Sequence, residues 1–367
     1  MKLDVELTPR EQVPRWMGYG TPVFTILAAL AVSAVALLAL GVSPLAAYRL
    51  MFVQTLTTSF GMTETIAKAV PLIFVGLAVY LPLKAQLWNI GAEGQLFLGA
   101  IAGSWIGVNV SLPGYALLPL MFLAGGVAGA VWIAVPAWLR AKLGINEIIT
   151  TLLFVFIAAE IKNYLVRGPM QAPGANFPQT AQLPVAARLP ELPVIGFPAG
   201  IVLAIAFVAV IHVVLNYTRL GFEITFIGAN DEAAEHAGMS KLKIYTVVLL
   251  SGGAIAGIAG VSEIAGVQGR LRAQFAPGYG FTAIPIALLG RNGAVQVMLA
   301  ACFFAVLFVG GSSIQTLLSV PAAIVDIIQA LVILFLITAE FFKQYRIDLS
   351  LGERPDPGAT GSVEGDL

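Results

Sequence analysis

Hydrogen-bonding side chains interrupt two long apolar runs near residue 90. The stretch Leu87–Leu96, LWNIGAEGQL, carries Asn89, Glu93 and Gln95 among glycines. A polar break at membrane depth persists only where protein or a water-filled cavity satisfies its backbone groups. Two interpretations stay open: these side chains line a path for a polar solute, or they belong to a loop and the first turn of a helix.

Two further pairs of polar residues sit at or within apolar runs. Asn146 and Glu147 begin one run, where Asn146 suits a helix N-cap and Glu147 suits the positive end of the helix dipole. The rival interpretation is a place in the solute pathway, because a carboxylate entering a membrane helix is otherwise costly. Asp326 and Gln329 are three residues apart and therefore share a helix face, which we expect to border a cavity.

Charged residues also mark the predicted outer ends of two helices. Glu263, Gln268, Arg270 and Arg272 follow an apolar run and are expected to line an outer vestibule. Lys162 is expected to lie at the interface with its ammonium group directed to water.

Motifs for covalent chemistry are absent from the sequence. It contains no GxxxxGK[ST], HExxH or GxSxG segment, and His212 and His236 are isolated. The single cysteine, Cys302, lies in an apolar run and cannot form a disulfide within the chain. Neither catalysis nor a metal site is expected, and a formal net charge of +0 gives no indication of nucleic-acid binding.

Composition indicates the elements that must carry these residues. With 58% hydrophobic and 11% charged residues and a mean hydropathy of +0.89, the chain is predicted to be an all-α, polytopic membrane protein. Crossing about 30 Å of hydrocarbon takes about 20 apolar residues. That length predicts about ten spans, near 22–42, 66–83, 94–111, 115–139, 147–166, 198–217, 243–262, 281–298, 298–318 and 321–342. The eighth is expected to be broken or half-crossing, since its apolar part covers only about 15 Å as a helix.

Loop charges predict the orientation. With the amino terminus in the cytoplasm, thirteen of the 20 lysines and arginines lie inside and seven outside. The predicted parts are a cytoplasmic tail (1–21), a membrane domain (22–342) with an ordered external loop (167–197) and a cytoplasmic loop (219–243), and a cytoplasmic tail (343–367). Ten spans would also allow two halves of five spans related as an inverted repeat.

The predicted cytoplasmic loop contains a short capped helix. In Phe222–Met239, Asn230 or Asp231 suits the N-cap and Gly238 suits the position just after the helix. Such a helix of about two turns is too short to be stable alone. It must therefore pack beneath its own bundle or in the groove of a partner.

Five segments in order carry a resemblance to a known family. They are NIGAEGQ, GINEIITTLL, GANDEAAEHAGM, LSGGAIAGIAG and GYGFTAIPIALLGRN, between Pro71 and Asn292. Together they resemble the membrane permeases of bacterial ABC importers for nucleosides and simple sugars, in the larger group that holds the ribose-type and branched-chain amino acid permeases. The chain departs from the frequent GRNHP or GRNNP pattern at Gly293 and Ala294.

The resemblance implies a division of labour. This chain would be a multi-pass permease in the bacterial inner membrane, surrounded by lipid, that forms the pathway for a nucleoside or, alternatively, a simple sugar such as ribose. Its partners would be a second, related permease chain, a periplasmic or lipid-anchored binding protein and a cytoplasmic ABC ATPase. ATP would be hydrolysed by that ATPase, and the permease itself would bind no cofactor.

The sequence offers candidates for two roles. The candidates for the substrate pathway are Asn89, Glu93, Gln95, Asn146, Glu147, Asp326 and Gln329. The first five match motif positions of the family, a match that leaves contact with substrate and shaping of the helices both open, whereas Asp326 and Gln329 are chosen for their shared helix face. The segment implied to rest on the ATPase comprises Ala229, Asn230, Asp231, Glu232, Ala233, Ala234, Glu235, His236, Ala237 and Gly238.

Two other function classes remain as alternatives. An ion-coupled secondary transporter would use intramembrane carboxylates for coupling. A membrane enzyme acting on lipid has less support, because the sequence shows no paired catalytic residues or Asp-rich metal motif.

Overall fold

A computed structural model describes residues 2–9, 15–192, 197–275 and 278–352. The chain forms two compact units, one of residues 34–329 and one of the two chain ends, 1–33 and 330–367. In chain order the helices are α1 (Arg15–Ala39), α2 (Pro44–Tyr48), α3 (Thr55–Thr57), α4 (Ser59–Leu83), α5 (Ala92–Asn109), α6 (Gly114–Leu143), α7 (Glu147–Arg167), α8 (Gly200–Tyr217), α9 (Arg219–Ala229), α10 (Asp231–His236), α11 (Lys241–Glu263), α12 (Tyr279–Leu289), α13 (Ala294–Leu318) and α14 (Ala322–Gln344). Two π-helical segments, Arg49–Gln54 and Ile264–Gln268, and a 3₁₀ turn at Val185–Ala187 complete them.

Seven of the described helices are long and apolar enough to cross a membrane. They are α4, α6, α7, α8, α11 with its π-helical extension, α13 and α14. Val23–Ala39 within α1 and the 11-residue α12 are shorter apolar helices. Helix α5 is not among the seven, and its first turn contains Glu93 and Gln95. The all-helical membrane domain is therefore confirmed, whereas the count of ten spans and the inverted repeat stay predictions.

The predicted eighth span is confirmed as a short helix. At about 1.5 Å per residue, the 11 residues of α12 extend about 16 Å, roughly half of a hydrocarbon core. The chain then turns through Gly290–Gly293 before α13 begins.

Helices α4 and α11 lie at the centre of the larger unit. Their apolar stretches are 78% and 67% buried, against 22% for α7 and α8. Glycines let the inner helices approach closely, because they lack a side chain at the crossing. A Cβ added to Gly257 of α11 would lie 2.0 Å from the carbonyl oxygen of Gly125 in α6. The outer helices expose leucine, valine and phenylalanine, as a surface in contact with lipid requires.

The chain ends contain two strands that the sequence analysis did not predict. Strand β1 (Lys2–Pro9) pairs antiparallel with β2 (Tyr345–Gly352). Apolar residues alternate along both segments, a period of two that favours a strand, and Val5 stands opposite Leu349 in the register. Residues 353–367 of the predicted carboxy-terminal tail lie outside the described part of the chain.

The segment predicted as an ordered external loop is irregular and hydrogen-bonded to the chain after α11. The backbone nitrogens of Thr180 and Leu183 donate to the carbonyl oxygens of Leu271 and Gly269, both at 2.9 Å. These bonds fix the position of residues 269–273, which belong to the connection between the π-helical end of α11 and α12.

Candidate functional site

The turn between α4 and α5 is built around a proline. Pro82 has no N–H group, so the carbonyl of Ala78, four residues earlier, lacks its usual helical partner. The side-chain nitrogen of Asn89 lies 3.4 Å from that carbonyl oxygen and donates to it. Asn89 and Gln95 are buried and exchange two amide hydrogen bonds, of 2.9 and 2.7 Å. Both amides therefore satisfy the backbone break and each other.

Glu93 of α5 caps the beginning of the neighbouring helix α12. Its carboxylate accepts hydrogen bonds from the backbone nitrogens of Gly278, at 3.0 Å, and Gly280, at 2.6 Å. These N–H groups lie at the start of α12, where the helix dipole favours negative charge. Gly278 has a φ of +70°, and a Cβ on Gly280 would lie 2.1 Å from the backbone nitrogen of Glu93. Glu93 thus caps α12 from α5.

Lys162 of α7 contacts the segment just before α12. The expectation that its ammonium group reaches water is wrong, because Lys162 is only 3% exposed. It donates a hydrogen bond to the carbonyl of Phe275 and lies 4.6 Å from the ring centroid of Phe97. A buried lysine persists where a carbonyl and an opposite charge compensate its desolvation, and here Glu93 supplies that charge.

Asn146 and Glu147 begin α7 in the manner of a capped helix. The side-chain oxygen of Asn146 accepts from the nitrogen of Ile148 at 2.9 Å. The carboxylate of Glu147 accepts from the backbone nitrogen of Trp88 at 3.1 Å. Its other oxygen lies 3.1 Å from Arg140 Nε, an ion pair without hydrogen-bond alignment. Glu147 therefore joins α6 and α7 to the turn that precedes α5.

A cavity of about 930 Å³ lies beside these elements, and its lining residues come from both π-helical segments, α4, α12, α13 and α14, among others. Asp326 and Gln329 line it, as do Glu263, Gln268, Arg270 and Arg272. Within the part of the chain that the structure describes, the other five pathway candidates do not line this cavity: Asn89, Glu93, Gln95, Asn146 and Glu147. Their contact with substrate stays a prediction, and the geometry gives each of them a structural partner.

A cluster of four side chains lies in the wall of the cavity. Lys68 of α4 donates to the Tyr279 hydroxyl at 2.7 Å and lies 3.6 Å from Glu263. The π-helical winding, whose hydrogen bonds join residues five apart, brings Gln268 within 2.9 Å of the same carboxylate. Such a cluster presents both donors and acceptors, as recognition of a polar, uncharged solute requires. The sequence analysis grouped Glu263 with Gln268 but connected neither of them with Lys68 or Tyr279. The available signal was the presence of Lys68 and Glu263 within apolar helices.

The short helix predicted in the cytoplasmic loop is present as α10. Asn230 is the N-cap, accepting from the nitrogen of Ala233 at 2.9 Å, and Gly238 follows the helix with a φ of +79°. Ala234 is buried, whereas Glu232 and Glu235 are exposed. The preceding helix α9 was not predicted separately.

Two contacts secure this segment. Asp231 accepts a hydrogen bond from the ammonium group of Lys241, which holds the pKa of Asp231 below its ordinary value. At the end of α9, a Cβ on Gly228 would lie 2.1 Å from the carbonyl oxygen of Lys84. Lys84 in turn donates to the carbonyl of Arg291, just after α12, at 2.8 Å. A chain of contacts therefore runs from the end of α9 to the end of α4 and on to the turn after α12.

Comparison with known proteins identifies relatives along the whole chain. Residues 61–337 match the family described as the branched-chain amino acid transport system permease component. The chain is 60% identical to the glucose ABC transporter permease protein TsgB13 of Haloferax volcanii, over 100% of this chain and 99% of that protein.

More distant relatives carry nucleoside names. The guanosine ABC transporter permease protein NupP of Bacillus subtilis is 32% identical over 92% of this chain and 97% of its own length. The nucleoside ABC transporter permease protein NupB of Lactococcus lactis is 28% identical over 86% of this chain and 89% of its own.

A second Haloferax volcanii protein is also similar, the putative glucose ABC transporter permease protein TsgC13, which is 25% identical over 67% of this chain and 75% of its own length. No solved structure matches the chain. The family match and the extent of these similarities lead to one conclusion: this chain belongs to the branched-chain amino acid transport system permease component family and is an ABC transporter permease of its nucleoside and sugar importer group.

Proposed function

We propose that this chain forms the translocation pathway of an ABC importer for a neutral monosaccharide, with glucose as the favoured solute. The observation that carries the proposal is the 60% identity, over nearly the full length of both chains, to a protein named as a glucose permease. The sequence alone favoured a nucleoside, with a simple sugar as the alternative. A nucleoside remains the second candidate because two relatives, NupP and NupB, carry that name.

The lining of the cavity supports an uncharged, hydrogen-bonding solute. Three acidic side chains, Glu64, Glu263 and Asp326, are balanced by three basic ones, Lys68, Arg270 and Arg272. Five glutamines and four aromatic rings share the wall: Gln54, Gln268, Gln274, Gln315, Gln329, Phe60, Phe275, Tyr279 and Phe308. Amides bond hydroxyl groups in either direction, and aromatic faces pack on the apolar faces of a sugar ring.

The importer requires other chains for its power and its solute supply. A cytoplasmic ABC ATPase would hydrolyse ATP, so that this chain binds no cofactor, and a binding protein would deliver the sugar. The presence of two similar permeases in Haloferax volcanii supports pairing with a different, related chain rather than with a copy. The chain would lie in a bacterial inner membrane, with both of its ends in the cytoplasm.

Segment 229–238 is the proposed contact with the ATPase. Its acidic side chains Glu232 and Glu235 are exposed, and α10 is too short to be stable by itself. ATP binding in the partner would displace α9 and α10 together. Because Gly228 packs on Lys84 and Lys84 bonds to Arg291, this displacement would shift the α4–α5 turn and α12. Access to the cavity would then change from one side of the membrane to the other.

Competition for uptake tests the solute assignment. The chain is expressed with its companion permease, ATPase and binding protein in cells that lack glucose uptake, and entry of labelled D-glucose is measured. Unlabelled glucose should abolish the signal, and guanosine at the same concentration should leave it unchanged. Entry of labelled guanosine without entry of glucose would contradict the monosaccharide assignment and favour the second candidate.

A further inference from the structure

We propose that Glu263, together with Lys68, Tyr279 and Gln268, forms a subsite that binds the hydroxyl groups of the solute inside the permease. The inference rests on the proposed function and names the side chains that would recognise a polyhydroxylated ring.

An incompletely bonded carboxylate is the first observation. Glu263 is 0% exposed, and its Oε1 accepts from Gln268 at 2.9 Å. Its Oε2 is buried and has no hydrogen-bond partner among the described residues. Buried polar atoms nearly always find a partner, and one that lacks it in the protein alone is explained by a water, an ion or a ligand.

The position of Glu263 at the cavity is the second observation. Glu263, Lys68, Gln268 and Tyr279 all line the same cavity of about 930 Å³. Sites for small molecules usually measure about 300–1,000 Å³. The cavity therefore has room for a ligand, and the residue that carries the unbonded oxygen is one of those around it.

The donors and acceptors of the cluster complement a hydroxyl group. A solute O–H can donate to Glu263 Oε2. The Lys68 ammonium group carries three N–H donors and uses one on Tyr279, so it can donate to a second solute oxygen. The pairing of Lys68 with Glu263 leaves the cluster without net charge, which favours a neutral solute over a phosphate or a carboxylate.

Aromatic rings complete the subsite. The rings of Tyr279 and Phe308 have centroids 6.0 Å apart, and both residues line the cavity together with Phe275. Their apolar faces can pack against the C–H groups of a sugar ring while its hydroxyls meet the charged pair.

The rival explanation is that the cluster only fastens α4 to the chain around α12. Substitution of the unbonded oxygen separates the two explanations. In the complete transporter reconstituted with its partners, Glu263→Gln replaces one carboxylate oxygen by an NH₂ group of the same size. Glu160→Gln, an exposed carboxylate on α7 outside the cavity, is the control.

If the cluster is a solute subsite, Glu263→Gln should lower the initial rate of glucose uptake by about tenfold or more, measured at a saturating concentration of the binding protein. A loss of this size is expected because hydrogen bonds to charged groups are stronger than those between neutral groups. The amount of assembled transporter should equal that of the wild type. Glu160→Gln should transport at the wild-type rate. Wild-type uptake in Glu263→Gln would overturn the subsite, and so would a matching loss of assembly and transport.

Labelling of the cavity gives a readout independent of transport. In a Cys302→Ala background, the exposed cavity residue Ser312 is replaced as Ser312→Cys and labelled with a polar maleimide. D-Glucose should slow labelling severalfold when Glu263 is present and have no effect in Glu263→Gln. Labelling that neither D-glucose nor guanosine slows when Glu263 is present would overturn the subsite.

Failure of the subsite differs from failure of the proposed function. A wild-type transporter that carries guanosine but not glucose would contradict the monosaccharide assignment. If guanosine then protects Ser312→Cys and depends on Glu263, the subsite stands and binds ribose hydroxyls. A wild-type transporter that carries glucose regardless of Glu263 overturns the subsite alone.

Discussion

Glu93 Oε2 lies 2.6 Å from the backbone nitrogen of Gly280, so that a carboxylate of α5 caps the first turn of α12. The first N–H groups of a helix have no partner within the helix and need an acceptor wherever water does not reach them. Glu93 supplies the missing acceptor and the compensating charge. This relationship explains why a charged side chain occupies the otherwise apolar surroundings of residue 90.

Substitution of Glu93 should reduce the stability of the permease. Glu93→Gln keeps the size of the side chain but replaces one of the two accepting oxygens by an NH₂ group. That donor would face the backbone N–H of Gly278 or Gly280, which then has no acceptor. We expect the free energy of unfolding to fall by about 1–3 kcal/mol. Thermal unfolding of the purified permease in detergent measures this loss. Glu160→Gln serves as the control, and equal midpoints for both variants would contradict the capping role.

The contact of Gly280 with α5 should tolerate no side chain. In Gly280→Ala the new Cβ would lie 2.1 Å from the nitrogen of Glu93, closer than real contacts permit. We expect poor assembly in the membrane. Gly126→Ala, whose nearest neighbour is a side-chain carbon at 3.4 Å, should assemble normally. Equal yields of the two variants after size-exclusion chromatography would show that α5 and α12 are less tightly packed.

Asn89 and Gln95 should act as one unit in stability. Asn89→Leu leaves the amide of Gln95 and the carbonyl of Ala78 without partners, whereas adding Gln95→Leu removes one of those buried polar groups. The double variant should therefore be less destabilised than the sum of the two single variants. A double-mutant cycle of unfolding midpoints measures the coupling. Additive effects, with normal assembly and altered transport in Asn89→Leu, would favour a role in the solute path instead.

Reversal of charge on α10 should uncouple transport. Glu232→Lys with Glu235→Lys changes two exposed side chains and leaves the buried Ala234 in place. We expect uptake to fall at least tenfold while the permease still assembles, because the substitutions alter only the proposed ATPase contact. Uptake by proteoliposomes and co-purification of the ATPase check this. Normal uptake would refute the coupling role, and Glu160→Lys controls for charge reversal elsewhere.

The bond between Asp231 and Lys241 predicts a dependence on acid pH. Because Lys241 lowers the pKa of Asp231, the bond contributes fully above the ordinary aspartate value and is lost as the pH falls through the lower, folded-state pKa. A nitroxide attached through Glu235→Cys should keep the same mobility between about pH 8 and 5 and become more mobile only below about pH 4. Asp231→Asn should abolish this transition. A transition that persists in Asp231→Asn would contradict the role of this bond.

Local patterns predicted the elements better than their partners. The apolar runs, the cap at Asn230, the N-cap at Asn146 and the short α12 all depend on neighbouring residues, which sequence displays. Lys162 was misjudged because its partner, Phe275, lies 113 residues away. The same limit applies to Lys68 and Tyr279, which are 211 residues apart and meet only through packing of α4 on α12.

The most direct test of the account is ATP-dependent uptake by purified components. The permease pair and ATPase are reconstituted in proteoliposomes with ATP on the ATPase side and binding protein with labelled D-glucose on the other. We expect glucose to accumulate above its external concentration only with ATP and with both companion proteins present. Accumulation driven by a proton or sodium gradient across vesicles that contain this chain alone would contradict the account.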